Sequence, residues 1–154
     1  MRTVVHIAVV VAFGLAAGSV SVRASSPDSK APDQQSIEAL EARASQAQPR
    51  EQCFLYAQLV HQMTELSVKQ YAEGNVEGAS GLLKKIQLVA QKIHLSLANN
   101  DKRLKNAEIL LNHTAFRLNE MLHASNYEDR QLVQQTLAQV NNAQNEAMME
   151  VFHK

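Results

Sequence analysis

No proline occurs between Arg50 and Lys154; all three, Pro27, Pro32 and Pro49, precede that stretch. A proline inside a helix costs about 3 kcal/mol, because it removes a backbone N–H and clashes with the preceding turn. The last two thirds of the chain are therefore free to form long helices. The glycines there, Gly74, Gly78 and Gly81, gather at one place, which marks a turn. No segment alternates apolar and polar residues with period two, and no Asn-Gly or Asp-Gly hairpin signal occurs, so no sheet is expected.

Apolar residues at helical spacing divide this region into four segments of similar length. One spans about Glu51 to Glu73, through Tyr56, Leu59, Val60, Met63 and Leu66, with Pro49 suited to a first-turn position. The next runs from about Val76 to Ala98, with Asn75 as N-cap and Ala79, Leu82, Ile86, Val89, Ile93 and Leu97 as its stripe. After the polar break Asn99-Asn100-Asp101, a third reaches about His123 through Leu104, Ala107, Leu111, Ala115, Leu118 and Leu122. A fourth follows the capping box Ser125-x-x-Glu128 and carries Val133, Leu137, Val140, Ala147 and Val151. Rods about 35 Å long joined by short turns predict an all-α fold, an antiparallel up-down-up-down four-helix bundle over residues 50–154. The segment Tyr71-Ala72-Glu73-Gly74-Asn75-Val76-Glu77-Gly78-Ala79 is similar to the turn between paired helices of a tetratricopeptide repeat. It does not recur at a fixed period, so the resemblance implies one helical hairpin.

Ahead of this region, residues 25–49 read as a polar linker with a short amphipathic helix over 34–48, through Ile37, Leu40, Ala44 and Ala47. Met1 to Ala24 combine Arg2, an apolar run from Ile7 to Ala17 and the exit Val22-Arg23-Ala24, the order of a cleaved secretory signal peptide. The run is shorter than the roughly 20 residues a membrane span needs. A mature, exported chain starting near Ser25, periplasmic or secreted, is expected. Leu15-Ala16-Ala17-Gly18-Ser19 resembles a lipoprotein processing box with serine in place of the lipid-bearing cysteine, which implies no lipid anchor. The single cysteine, Cys53, excludes an intramolecular disulfide and reads as a small buried apolar group.

The full chain has 15 basic and 15 acidic residues. Loss of Arg2 and Arg23 with the signal leaves a slightly acidic protein. The basic groups Lys84-Lys85 and Lys102-Arg103 with Lys105 are too short and too interrupted for a phosphate-binding surface, so no nucleic-acid partner is expected. Roughly 130 residues after cleavage suit one domain with one core.

The pairs Glu120-x-x-His123 and Glu150-x-x-His153 resemble the spacing of ferritin-like metal bundles, where two such pairs share one core site. Here each closes its own helix. Antiparallel rods would separate them by about 35 Å, and a C-terminal histidine is already favoured by the helix dipole. His61 and His113 fall at similar heights, a placement similar to that of bis-histidine haem bundles, whereas His94 has no partner three or four residues away. No phosphate loop, nucleophile elbow, cysteine cluster or acid-base pair can be nominated, so no enzyme, catalytic residue, metal ligand or cofactor is assigned. Asn112-His113-Thr114 matches a glycosylation sequon in mid-helix.

A second apolar stripe remains. Phe54, His61 and Val68 recur every seven residues opposite the main face of their helix; so do Gly81, Leu88 and Leu95, and Ile109, Phe116 and His123. The last helix has only Ala138 and Met149 there. Either the amino-terminal helix or a less symmetric packing within the chain covers these stripes, or they form an interface with another chain; because one short helix cannot cover three faces, a partner is the reading carried forward. Phe54, Val68, Leu88, Leu95, Ile109 and Phe116 are the candidate interface of a non-enzymatic binding or assembly module, its partner a second copy or another envelope protein. The alternative is a ligand-binding bundle holding haem, a metal or a small apolar molecule.

Overall fold

The computed structural model describes residues 31–98 and 103–153; the proposed signal peptide, the first residues of the linker (25–30) and the Asn99-Asn100-Asp101 break lie outside them. The described residues form five α-helices and no strand: α1 (Gln34–Gln46), α2 (Pro49–Ala72), α3 (Val76–Leu97), α4 (Leu104–Ala124) and α5 (Tyr127–Phe152). None of these helices is long and apolar enough to cross a membrane.

Local chemistry sets the boundaries. Asp33 caps α1, its carboxylate accepting from Ser36 N–H while the Ser36 hydroxyl accepts from Asp33 N–H. Pro49 occupies the first turn of α2, where its missing N–H removes nothing. Gly74, at φ +83°, reverses the chain after α2, and Asn75 caps α3 by accepting from Gly78 N–H. The cap of α5 falls one residue beyond the expected box: Asn126 accepts from Asp129 N–H at 2.9 Å, and Ser125 instead donates back to Met121 O. The Asn side chain reaches an N3 donor as well as Ser does, and its position fits the chain's exit from α4.

Two antiparallel hairpins, α2·α3 and α4·α5, lie side by side. Their cross-contacts advance together along both helices: His61 meets Thr114, Glu65 meets Arg117, Ser67 meets Met121 and Tyr71 meets Asn126, at sequence separations of 52 to 55. Leu83 and Gln87 meet Thr136 and His94 meets Glu146, at 49 to 53. α2 therefore runs parallel to α4, and α3 parallel to α5. Spatial neighbours do not follow chain order. α3 packs on α2 and α5, α4 packs on α2 and α5, and neither α3·α4 nor α2·α5 is in contact. α3 and α4 therefore stand at diagonal corners.

The core is aliphatic, centred on Leu59, Val60, Met63, Ile86, Val89, Ile93, Leu111, Leu118, Val133 and Val140. α1 adds Ile37 and Ala44, packs on α2, and is pinned to α3 by Lys85–Glu41 at 2.8 Å.

Candidate functional site

The six residues of the second stripe separate into two groups. Phe54 is only 6 % exposed: the Arg103 guanidinium stacks over its ring, 3.7 Å from the centroid. Arg103 reaches there from the start of α4 through a left-handed conformation, φ +65°. Val68 is half-buried against the core, beside Ala31 and Pro32 in a recess that also includes Glu65 and Arg117. Both belong to α2, whose outer side α1 and the chain ahead of it cover. They act as structural residues, not as exposed anchors.

Leu88 and Leu95 on α3 are 60 % and 73 % exposed, and Ile109 and Phe116 on α4 are 44 % and 63 % exposed. Leu95 borders a recess that Gln139, Asn142 and Glu146 of α5 also line, and it remains exposed there. Because α3 and α4 occupy diagonal corners, the two stripes face away from one another. They form two surfaces on opposite sides, not one. Tyr127, Met149 and Phe152 are exposed too. Met149 was visible in the sequence as an isolated apolar residue on the outer side of α5. Tyr127 and Phe152 stand at the ends of that helix, where no periodic pattern marks them.

The polar groups cluster between α2 and α4. Thr114 is fully buried and donates to Leu110 O at 2.7 Å, which leaves its oxygen to accept from His61 Nδ1 at 3.2 Å. That geometry fits a neutral His61 with its proton on Nδ1. Burial pushes the imidazole below its usual range; Glu65 opposes the shift, and His113 and Arg117 add to it. Thr114 is thus a structural hydroxyl as well as the third residue of the sequon. One turn along, Arg117 donates to Glu65 at 2.8 Å and also to Glu120. These two hydrogen bonds hold its guanidinium above its ordinary range.

Glu120 is spent on Arg117 and not on His123. Among the described residues no group of three or more His, Cys, Asp or Glu side chains is placed to hold a metal. The recesses are shallow surface features. One of about 490 Å³ lies at the end of α3 and α5, lined by His94, Leu97, Glu146 and Met149, and there His94 pairs with Glu146 at 2.6 Å. Another of about 310 Å³ lies around Arg43, Glu51, Phe54 and Arg103.

Compared with known protein families, curated proteins and solved structures, the chain shows no significant similarity to any of them.

Proposed function

We propose that this protein is an exported, non-enzymatic contact module with two apolar faces, Leu88 and Leu95 on one side and Ile109 and Phe116 on the other. The observation that carries the reading is their exposure in heptad pairs on diagonal corners of the fold. Single exposed aliphatic residues are normal on protein surfaces; Leu and Phe repeated on one helix face, with a complete core behind them, are what a partner helix recognises. Export rests on the pattern of Met1 to Ala24. The two hairpins serve as a rigid spacer between the faces, a four-helix bundle in the ring order α2, α3, α5, α4.

Charge placed at Leu88 and at Phe116 tests this. Light scattering and retention of a co-purifying partner are measured for Leu88→Glu and Phe116→Glu beside the wild type, with circular dichroism as the control for folding. The expected result is full helicity with association or partner capture lost. Variants that associate as the wild type does, or that unfold, contradict it.

A further inference from the structure

The contact reading leaves the occupant of the α4 face unnamed, but the charges around its apolar pair identify one. Lys105, Ile109, Asn112, Phe116 and Glu120 follow one another at steps of four, three, four and four. At 100° per residue they share a single outward sector of α4, and all five are exposed. Among the described residues Lys105 has no ion-pair partner. Glu120 sits at the other end of the sector in a triad where two carboxylates, Glu65 and Glu120, share the one guanidinium of Arg117. That triad holds one more negative than positive charge, and Lys105 places a positive charge, unpaired among the described residues, at the opposite end of the sector.

A helix face charged in this way is complementary to itself when reversed. Laid antiparallel on a second copy, with the two-fold axis between Asn112 and His113, Ile109 meets Phe116 twice and Lys105 meets Glu120 twice. Laid parallel, Lys105 meets Lys105 and Glu120 meets Glu120, so the charges select the antiparallel arrangement. The α3 stripe lacks this property. Lys84 and Lys92 flank Leu88, and the one carboxylate on that face, Glu77, lies about three turns away, so self-pairing there brings like charges together.

We propose that two copies of this chain associate through α4, antiparallel about the Asn112–His113 midpoint, with Ile109 and Phe116 as the apolar seam and two Lys105–Glu120 pairs at its ends. This is an isologous contact, the commonest kind between identical chains. It rests on the reading of α4 as a contact surface, and it leaves the α3 face free for a different partner.

The test uses the full mature chain. Sedimentation across the micromolar range reads the monomer–dimer equilibrium. Asn112→Cys in a Cys53→Ala background reads the two-fold axis, since oxidation then traps a covalent dimer. The inference expects a dimer that Phe116→Glu weakens by roughly 30-fold or more and that Asn112→Cys traps. Lys105→Glu weakens it by roughly tenfold, and Lys105→Glu/Glu120→Lys restores it, with salt dependence throughout. A monomer at every concentration overturns it. So does a dimer that Phe116→Glu leaves intact, that Asn112→Cys fails to trap, or that the double charge reversal does not restore. A monomeric protein whose Leu88→Glu variant still loses a bound partner sinks the α4 dimer but keeps the contact module, whereas loss of nothing by either stripe variant sinks both.

Discussion

Three glycines within eight residues should respond to alanine in three different ways, because each occupies a different physical situation. At Gly81, inside α3, an added Cβ meets nothing within 4 Å. Alanine then removes backbone entropy from the unfolded chain and gains helix propensity, a stabilisation of about 0.5–1 kcal/mol. At Gly74 the backbone sits at φ +83°. A Cβ there costs about 1–2 kcal/mol whatever space surrounds it. At Gly78 a Cβ would fall 2.5 Å from Gln70 Oε1 and 2.6 Å from Asn75 Nδ2. Asn75 is the residue whose side chain caps Gly78 N–H at 3.0 Å, so accommodating the methyl disturbs the cap. Losing a cap costs about 0.5–2 kcal/mol, which offsets or exceeds the propensity gain. The order of stability is therefore Gly81→Ala, wild type, Gly78→Ala, Gly74→Ala, with the middle two close together. Urea unfolding at equal m-value measures it, and a difference of 1 kcal/mol corresponds to a shift in Tm of roughly 2–8 °C for domains in this size range. A destabilised Gly81→Ala, or a Gly74→Ala as stable as the wild type, would refute the hairpin geometry on which the estimates rest.

Thr64 is fully buried and its hydroxyl has no hydrogen-bond partner among the described residues, so Thr64→Val should stabilise the fold by about 1 kcal/mol in the same urea assay; a loss of that size means the hydroxyl is satisfied. His61, held below the usual imidazole range by burial, binds its proton more readily in the unfolded chain. Its contribution to stability is complete above pH about 6.5 and is lost as pH falls through the folded value. His61→Gln should therefore flatten the acid side of the Tm–pH profile; superimposable profiles for the two proteins would contradict this. Among the described residues no group of three or more His, Cys, Asp or Glu side chains is placed to hold a metal, so added Zn²⁺ should leave Tm unchanged, and a rise in Tm favours the ligand-binding alternative.

Much of the fold was legible because helix ends are written in short-range chemistry. Pro49, Gly74 and Asn75 each act within four residues of where they stand, and the expected segments match α2 and α3 to within a residue or two. The cap of α1 at Asp33 carries no such signature, because it uses Ser36 and not the Glu or Gln of the usual box. The order of neighbours was not legible. Whether α3 packs on α4 or on α5 depends on contacts such as Gln87–Thr136 and His94–Glu146, about 50 residues apart, and no local pattern encodes them. The candidate surface divided for the same reason. Leu88, Leu95, Ile109 and Phe116 remain exposed, while Phe54 has the same periodicity but is closed over by Arg103 from 49 positions downstream. Periodicity reports which residues share a face; it does not report what lies against that face.

The opposition of the two apolar faces is the claim from which the double-sided contact module follows, and one distance measures it. Spin labels at Leu88→Cys and Phe116→Cys, in a Cys53→Ala background and diluted into excess unlabelled protein so that only distances within one chain are read, report the separation of the outer surfaces of α3 and α4. Neighbouring axes 8–10 Å apart place diagonal helices about 13 Å apart, and their outer surfaces on the order of 24 Å apart. A single distribution centred near or above about 24 Å is the expected result. A separation below about 15 Å, as for two adjacent helices presenting one continuous face, would contradict it.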